Sequence, residues 1–595
     1  MLCYDQQDMS NQQISKLLRN VAVAYSIKDE KKFRFQIIAY YNAAEAIESS
    51  TQEINDLIKE GKAISLPGVG PSIASHLEEL CKKGKSTHFE WVFKGIPGSV
   101  FKLVEIPTFG PKKAYKLAKE FKINDSETAV DEIEKLAKSG KIATLAGFGE
   151  KSESDILKSI QEYKLGKIKE KRMALPYAAK IADKIVNYLK ESEFAIRVEP
   201  LGSLRREVAT IGDVDIAVAT NKPKEMIDYF TKYPYKERII ERGDISSSIL
   251  VSGGHQIDIM TQSLESFGAL LQHFTGSKNH NIHLRELALK KGFSLSEKGI
   301  KNLKTGKINI FSNEEDFYSF LGLSWIPPEI REDTGEIELA VKNNLPKLVE
   351  LKDIKGDVHI HSSFPIEPSH DLGKNTILEM LKKAEELGYE YLGFSEHNPS
   401  ISKHTEQEME KILIKRDEEL EKAKSINKSV RIIKLLEVDI LPKGNLPIDN
   451  HAFDLLDAAI VSIHSSFSLT KNEMTNRIIK GLSYPKAKIL GHPTGRLINE
   501  RPGYDADWDK IFSFCAKNNK AVEINSWPNR LDLYDALIKK ALDYKVKFFI
   551  NTDSHAAWQM DMVKYGVAMA RRGWAKKSDI LNTLPYNELM DWLKS

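Results

Sequence analysis

Hydrophobic and polar positions follow three different patterns along the chain. In residues 10–60, apolar positions recur at helical spacing, as in SKLLRNVAVAYSI and FQIIAYYNAAEAIES, which predicts short packed helices. Between 197 and 260, β-rich segments such as DVDIAVAT and HQIDIM are separated by Gly, Ser and charged turns. Beyond 350, strand and helix patterns alternate, which predicts parallel strands in a (β/α)-barrel-like domain. The predicted fold is therefore multidomain, with α+β and α/β parts.

The length of 595 residues corresponds to about four domains of ordinary size. The pattern predicts a helical domain over 1–92, a second helical domain over 93–168, a mixed β-sheet over 169–262, a mainly helical segment over 263–328 and a strand–helix domain over 351–595. Two prolines and an acidic run in LSWIPPEIREDTGEIE predict a linker over 329–350.

Composition narrows the class of protein without identifying a partner. Hydrophobic residues make up 41% and charged residues 29%, which excludes collagen-like and wholly disordered chains. The net charge of +3 means that any basic surface must be local. Three scattered cysteines without a CxxC pair, a polar beginning and the lack of a run of about 20 apolar residues predict a cytoplasmic protein that does not enter a membrane.

Three glycine-containing turns, each followed by an amphipathic helix, lie in the first 160 residues. The segments are LPGVGPSIASHLEEL, IPTFGPKKAYKLAKEF and LAGFGEKSESDILKSI, and their glycines include Gly68, Gly70, Gly110, Gly147 and Gly149. Such a turn exposes backbone N–H groups that bind phosphate, and Lys112 and Lys113 add positive charge at the second one. One such turn is equally consistent with an ordinary helix start, whereas three favour DNA-backbone binding. They resemble helix-hairpin-helix motifs.

Three carboxylates form the sharpest chemical signal in the first half. Asp213 and Asp215 lie two residues apart in a β-like run, and Asp258 lies in a second such run, HQIDIM. Because residues two apart share a strand face, we expect the three carboxylates to converge and to need hard divalent cations, favouring two Mg²⁺ ions. Gly202, Ser203, Arg206 and Gly212 lie in the adjacent turns and are candidates for binding a nucleoside triphosphate.

The segment GSLRREVATIGDVDIAVAT resembles the nucleotidyltransferase core of family X DNA polymerases, and HFTGSKNHNIHLRELA extends the resemblance. It implies that His273, Phe274, Thr275 and Gly276 surround the nucleotide sugar and base, with His273 where the family has Tyr. It also implies nucleotide and template contacts for Asn281 and Arg285. His76 stands where the family's Schiff-base lysine would be, so lyase chemistry by that route is not expected.

Nine of the fifteen histidines lie beyond residue 350, and several end apolar β-like runs. The candidate metal ligands are His359, His361, Asp371, His397, Glu437, His464, His492, Asp553 and His555. His370 and Glu367 are alternatives to Asp371; Glu396 is expected behind the ligands, and Asp439, Arg496 and Asn525 are weaker candidates. Carboxyl ends of barrel strands converge on one face, where imidazole and carboxylate ligands suit two or three Mn²⁺ or Zn²⁺ ions.

This constellation resembles the polymerase-and-histidinol-phosphatase (PHP) domain, a metal-dependent phosphoesterase. Together the resemblances imply a monomeric family X DNA polymerase that uses dNTPs to fill gaps in primer–template DNA during base excision or end repair. The PHP domain is expected to act as a 3′–5′ exonuclease or phosphoesterase, with cleavage at abasic sites as an additional activity to test. Two alternatives remain: a DNA 3′-end nuclease whose polymerase half mainly binds DNA, and a small-molecule phosphatase with a DNA-binding appendage.

Overall fold

The computed structural model describes residues 11–48, 54–59, 63–65, 69–106, 109–164, 172–251, 255–498, 501 and 503–595. The chain divides into two compact units, Met1–Glu170 and Lys171–Ser595. Within the described ranges, every helix is too short or too polar to cross a bilayer. The multidomain organisation with helical, α+β and α/β parts is confirmed.

The first unit is helical in its described part. Its helices are α1 (Asn11–Asp29), α2 (Arg34–Glu48), α3 (Ile54–Lys59), α4 (Pro71–Lys83), α5 (Thr87–Phe93), α6 (Gly98–Leu103), α7 (Pro111–Glu120), α8 (Ala129–Lys138) and α9 (Glu150–Lys164). They enclose two apolar cores, one made of buried residues up to Val92 and the other beginning at Val100. The predicted boundary at residue 92 falls between these cores.

The second unit begins with a five-stranded mixed sheet. Its elements are β1 (Met173–Ala174), α10 (Leu175–Lys190), β2 (Arg197–Pro200), α11 (Gly202–Arg205), β3 (Thr210–Ile211), β4 (Val214–Ala219), α12 (Pro223–Phe230), β5 (Lys236–Arg242), β6 (Ser246–Val251) and β7 (His255–Gln262). The sheet order is β2-β4-β7-β6-β5, in which only the β4–β7 pair is parallel. Ile216, Val218, Ile257 and Ile259 pack into the core on one face, whereas Ala217 and Ala219 of β4 are buried in a second core on the other face.

A smaller helical and β region follows the sheet. It contains α13 (Phe267–Thr275), α14 (Lys278–Lys290), β8 (Phe293–Ser296), β9 (Gly299–Asn302), β10 (Ile308–Asn309), α15 (Glu314–Phe320) and α16 (Glu336–Val341). The segment predicted as a linker, 329–350, is packed: α16 lies within it, and Ile330, Ile337 and Ala340 are buried in the core of this region. Helical spacing of these apolar residues outweighs the preceding prolines.

The C-terminal part alternates strands and helices as predicted. Its elements are β11 (Gly356–Ile360), α17 (Ile377–Glu386), β12 (Tyr391–Phe394), α18 (Glu406–Ile426), β13 (Arg431–Lys434), β14 (Glu437–Asp439), α19 (Asn450–Asp454), β15 (Ala459–Ser462), α20 (Lys471–Leu482), β16 (Ala487–Leu490), α21 (Trp508–Lys517), β17 (Ala521–Asn525), α22 (Asp535–Asp543), β18 (Lys547–Asn551), α23 (Val563–Arg572) and α24 (Tyr586–Lys594). Two parallel sheets, β11-β12-β13 and β14-β15-β16-β17-β18, are connected by parallel bridges at Ile360–Ser554 and His397–Glu437.

Candidate active sites

The three predicted carboxylates meet on one face of the mixed sheet. Asp215 of β4 is the direct register partner of Asp258 of β7, and Asp213 lies in the bend that precedes β4. One carboxylate oxygen from each lies within 4.8 Å of the other two. The parallel pairing produces this arrangement because partners in register point to the same sheet face. The three oxygens are therefore spaced to share cations.

Three ionised carboxylates at this site repel one another. Burial, followed by repulsion from Asp213 and Asp258, raises the pKa of Asp215 to about 7, and Arg206 only partly opposes the shift. Gln256 donates to both oxygens of Asp258, at 2.9 and 3.0 Å. A divalent cation relieves such repulsion more completely than a proton does, so the carboxylate set fits a metal site.

Gly202 allows the backbone to approach Asp215 closely. Its φ is +56°, and a Cβ atom there would lie 2.4 Å from Oδ2 of Asp215. Neither the left-handed conformation nor the space admits a side chain. Gly212 is less restricted, since a Cβ atom would meet only Nη1 of Arg172 at 3.2 Å. Ser203 lies in the short helix α11, beside Gly202.

Arg206 lies between the carboxylates and the segment that follows α13. Its Nη1 donates to the carbonyl of Thr275 at 2.5 Å, and its Nε donates to Glu332 at 3.0 Å. Gly276 has φ +71°, and a Cβ atom there would lie 3.1 Å from Nη1 of Arg206. The predicted nucleotide-binding residues 273–276, which form the end of α13 and the turn after it, are thus held against the turn that carries Arg206.

The side chains around this turn are also ordered by hydrogen bonds. The rings of His273 and Phe274 are 4.8 Å apart at 65°, and burial lowers the pKa of His273. Asn281 donates to the carbonyl of His273 at 2.7 Å and accepts from Gln272 at 2.8 Å. Arg285 lies exposed on the same helix, α14. A neutral imidazole and a fixed amide therefore line this surface.

The glycine turns of the first unit open helices as predicted. Gly70 precedes α4 and Gly110 precedes α7, each followed by a proline at the first helical position. No atom of the described residues lies within 4 Å of a Cβ built on Gly70, Gly110 or Gly149, so these turns are open. Gly147 has φ +84°. Gly68 lies outside the described residues.

Basic and aromatic groups surround the second and third turns. Nζ atoms of Lys113 and Lys116 lie 5.9 and 5.8 Å from the ring centre of Phe148. Lys112 pairs with Glu30 at 2.7 Å, and both side chains are exposed. His76, at the position discussed for lyase chemistry, accepts or donates a hydrogen bond with Tyr40 at 2.8 Å and stacks on His88 at 3.8 Å.

The C-terminal histidines and carboxylates converge where the strands end. Potential ligand atoms lie within 4.8 Å of one another in four groups: His359, His361, Glu437 and Asp553; His361, His397 and His555; His397, Glu437 and His464; and His370, Asp439 and His464. His492 joins them through Nε2, which is 2.9 Å from Glu437. Shared members make these groups one continuous cluster, and Glu437 lies at its centre.

The imidazoles and carboxylates of this cluster shift one another's pKa values. Burial alone would raise the pKa of Glu437, but His397, His359 and His464 outweigh it and hold that pKa well below its usual range. Burial lowers the pKa of His464, yet Glu437 and Asp439 outweigh it and raise the pKa to about 9. Burial, aided by Arg530, lowers the pKa of His492 to about 4.

Several buried nitrogen and oxygen atoms of the cluster have no hydrogen-bond partner within the described part of the chain. They are Nε2 of His359, both ring nitrogens of His361, Nδ1 of His397, Oε2 of Glu437, Nδ1 of His492 and Nε2 of His555. Some of them lie within ion-pair distance without hydrogen-bond geometry, such as Nδ1 of His397 and Oε2 of Glu437 at 2.9 Å. Buried polar atoms are normally satisfied, so their concentration at one point needs an explanation. Imidazole and carboxylate donors at these separations fit divalent metal ions.

The structure distinguishes the candidates that the sequence left open. His370, rather than Asp371, contacts Asp439, with Nε2 3.0 Å from Oδ1. Asp371 is exposed and lines a neighbouring cavity of about 400 Å³ together with Arg530 and Trp527. Thus Asp371 is not brought into the ligand groups, whereas His370 and Asp439 are.

Apart from Asp439, the weaker candidates and the remaining alternatives surround the cluster instead of joining it. Glu396 accepts from Ser362 at 2.6 Å and pairs with Arg416 at 2.7 Å. Asn525 donates to Asp553 at 3.2 Å, and Arg496 donates to the carbonyl of Arg530 at 2.7 Å. Glu367 pairs with His404 at 3.3 Å.

Glu523 is a buried functional candidate that sequence reasoning missed. It accepts from Nδ1 of His359 at 2.7 Å, from the backbone N–H of His492 at 2.6 Å and from Asn551 at 3.0 Å. A carboxylate behind a ligand histidine fixes its ring orientation and tautomer. The available signal was an acidic residue inside the apolar strand AVEIN, where a charge without partners would be costly.

Comparisons with known proteins cover both halves of the chain. A model described as DNA polymerase beta thumb matches residues 270–332, and one described as helix-hairpin-helix domain matches residues 9–86. The chain is 34% identical over 588 residues to the DNA polymerase/3′-5′ exonuclease PolX of Bacillus subtilis, which covers 98% of this chain and 100% of that protein.

Two further relatives each match one part. A probable phosphatase of Clostridium acetobutylicum is 29% identical over 211 residues, covering 34% of this chain and 79% of that protein. DNA polymerase lambda of Rattus norvegicus is 23% identical over 354 residues, covering 54% of this chain and 56% of that protein.

Proposed function

The chain belongs to the family X DNA polymerases that carry a C-terminal PHP domain, and we propose that it fills short gaps in DNA and trims 3′ ends. The observation that carries the polymerase assignment is the register pairing of Asp215 with Asp258, with Asp213 in the same oxygen cluster. DNA and dNTPs are the substrates of such an enzyme, and divalent metal ions are its cofactors.

Asp213, Asp215 and Asp258 are proposed to hold two Mg²⁺ ions, since carboxylate oxygens suit this hard cation. When bound, the ions activate the primer 3′-hydroxyl and neutralise charge on the leaving pyrophosphate. The raised pKa of Asp215 means that a proton competes with the metal for this carboxylate near neutral pH. Gly202 keeps the carboxylate accessible because any larger residue would occupy its space.

Residues beside the carboxylates are proposed to bind the nucleotide. Arg206 and Ser203 face the triphosphate, while Gly202 and Gly212 shape the turns that present them. His273, Phe274, Thr275 and Gly276 form the surface for sugar and base, and Asn281 and Arg285 contact the base pair. The hydrogen bond from Asn281 to the carbonyl of His273 supports this assignment because it orients the aromatic pair.

The C-terminal cluster is proposed to hydrolyse phosphodiesters at DNA 3′ ends, and its substrates include abasic sites. Its ligands would be His359, His361, His370, His397, Glu437, Asp439, His464, His492, Asp553 and His555, holding Mn²⁺ or Zn²⁺. When bound, these metals activate water and stabilise the charge that develops on phosphate. Glu523 fixes the His359 ring, and Arg530 offers a positive charge at the cavity edge.

The helical unit is proposed to grip DNA through the phosphate backbone. Gly70, Gly110, Gly147 and Gly149, with Lys112 and Lys113, expose donors and positive charge without base-reading groups. The domain boundaries proposed from sequence assign residues 1–92 and 93–168 to this task, 169–262 to the palm, 263–328 to nucleotide selection and 351–595 to the PHP domain. We propose that the protein acts as a monomer in the cytoplasm during base excision repair.

One pair of variants tests this assignment. On a one-nucleotide gap with Mg²⁺, Asp215→Ala should abolish incorporation and retain trimming of a 3′ mismatch with Mn²⁺. His359→Ala with His361→Ala should abolish trimming and retain incorporation. Incorporation that is missing even in the unaltered protein would instead favour a 3′-end nuclease whose polymerase half only binds DNA. Faster hydrolysis of free phosphomonoesters than of DNA would favour a small-molecule phosphatase.

A further inference from the structure

One arginine of the PHP domain makes an unusual set of contacts. Arg572 ends α23, and only 8% of its surface is exposed. Its Nε and Nη2 donate to Asp535 at 2.8 and 2.6 Å, which fixes the plane of the guanidinium within the PHP domain. Both bonds end on Oδ2 of Asp535, and two charge-assisted donors from one guanidinium edge restrict its orientation. The remaining nitrogen, Nη1, therefore points in a defined direction.

Nη1 of Arg572 reaches into the polymerase half of the same compact unit. It donates to the backbone carbonyl of Arg206 at 2.7 Å and to Oε1 of Glu332 at 3.1 Å. The same Oε1 atom accepts from Nε of Arg206 at 3.0 Å. Arg572 thus holds the Arg206 carbonyl directly, and both arginine side chains donate to the same Glu332 oxygen.

The other contacts of Arg206 show how fixing its position would affect nucleotide binding. Nη1 of Arg206 donates to the Thr275 carbonyl, next to Gly276, in the proposed sugar-binding turn. Nη2 of Arg206 has no hydrogen-bond partner among the described residues. The positive charge also acts on Asp215. The guanidinium is therefore oriented by two acceptors, and one nitrogen remains for an incoming phosphate.

We propose that Arg572 of the PHP domain is a positioning residue for dNTP binding, acting through Glu332 and Arg206. This inference rests on the proposed function, because it assigns Arg206 to the triphosphate. Two cations, Arg206 and Arg572, and two carboxylates, Glu332 and Asp535, form a neutral chain between the PHP helix α23 and the nucleotide site. Nucleotide affinity, and not only overall integrity, depends on the PHP domain.

Arg571 is a matched control on the same helix. Its Nε donates to Glu329 at 2.7 Å and its Nη1 donates to the carbonyl of Val349 at 3.0 Å. It also connects α23 to the segment before the PHP domain, yet it has no contact with Arg206 or Glu332 among the described hydrogen bonds. Replacing Arg571 removes a comparable ion pair but leaves the ion pairs among Asp535, Arg572, Glu332 and Arg206 in place.

Single-nucleotide incorporation on gapped DNA tests the proposal, with KM for dNTP and kcat measured separately in the full chain. Arg572→Ala should raise KM about tenfold, the loss expected for one charge-assisted contact, and should change kcat less than about threefold. Arg572→Lys should recover part of the loss because the charge returns without the fork. Arg571→Ala should keep KM within about twofold of the unaltered protein.

A double-variant cycle separates positioning from stability. Because Arg572 reaches Arg206 both through Glu332 and directly at the backbone carbonyl, Arg572→Ala combined with Glu332→Gln should raise KM by less than the product of the two single effects. Trimming of a 3′ mismatch should remain within about twofold in every variant, which reports an intact PHP domain. An unchanged KM in Arg572→Ala, an equal rise in Arg571→Ala, or a parallel loss of kcat and trimming would overturn the inference. Failure of the unaltered protein to incorporate dNTP would overturn the proposed function as well.

Discussion

The two metal-type clusters use carboxylates in opposite electrostatic settings. In the palm, Asp213, Asp215 and Asp258 face one another on a partly open sheet, and burial with mutual repulsion raises the pKa of Asp215 to about 7. In the PHP domain, Glu437 is buried among imidazoles that hold its pKa well below the usual range. We therefore expect the palm carboxylates to need cations, whereas imidazoles already compensate the charge of Glu437 in the PHP cluster.

The largest effect should follow from substituting Glu437, at the centre of the PHP cluster, where imidazoles compensate the carboxylate charge. Glu437 belongs to two of the four ligand groups, so Glu437→Gln should lower trimming about a thousandfold, equivalent to about 4 kcal/mol. Incorporation on gapped DNA should stay within about twofold and serves as the measure of folding. Glu418→Gln, on the exposed side of α18, is the control. Equal loss of both activities would contradict the separation of the two sites.

The palm site can also be disrupted by substituting a residue that is not one of its carboxylates. Gly202→Ala should push Asp215 out of place and lower incorporation about a hundredfold, as expected for a shift of about 1 Å. Gly306→Ala shares the positive φ, at +72°, but has nothing within 4 Å of the added atom. Steady-state incorporation by both variants separates crowding from backbone strain. Similar losses in the two would show that strain, and not the approach to Asp215, is responsible.

Glu523, which lies behind the PHP ligands, provides a further test of the comparison between the two clusters. Glu523→Gln keeps the shape of the side chain but removes the charge that orients His359, so Mn²⁺ affinity and trimming should fall about tenfold to a hundredfold. Metal titration followed by trimming rates measures both quantities. Glu588→Gln, exposed on α24, is the matched control. A variant with unaltered Mn²⁺ affinity would remove Glu523 from this role.

The smallest effect on activity at neutral pH is expected at Glu314, which lies beside the palm. Like Glu437 in the PHP domain, it is a buried carboxylate whose charge is balanced by neighbouring cations. Burial would raise the pKa of Glu314, but Arg331 and Arg205 outweigh it and lower the pKa to about 2. Relative to the ordinary value of 4.5, this corresponds to about 3 kcal/mol of stability above pH 4.5, lost as the pH falls from about 4.5 to about 2.

Urea unfolding of Glu314→Gln against pH tests that assignment. The variant should be less stable than the unaltered protein by about 3 kcal/mol at pH 7, and the difference should shrink below pH 4.5 because Glu314 itself becomes protonated. Glu315→Gln removes an exposed charge from the same first turn of α15 and should cost less than about 1 kcal/mol at either pH. A stability difference that does not change with pH would exclude the ion pairs as its source.

The sequence by itself determined the chemistry and much of the architecture. A short apolar run predicted β4, alternating apolar positions predicted β7, and repeated strand–helix patterns predicted the C-terminal domain, because burial depends on local periodicity. The residue types at Asp213, Asp215 and Asp258, and the histidines at strand ends, predicted metal chemistry, and the structure brings these side chains together. These properties belong to short segments and are therefore readable along the chain.

Tertiary structure alone decided which distant residues act together. It placed His370 and Asp439, rather than Asp371, beside His464, and it positioned Glu523 behind His359. It also packed residues 329–350 against neighbouring helices and brought Arg572 to Arg206, which lies 366 positions earlier. Strand register, loop paths and long-range ion pairs set these partnerships, because each depends on packing between segments whose local patterns contain no information about one another.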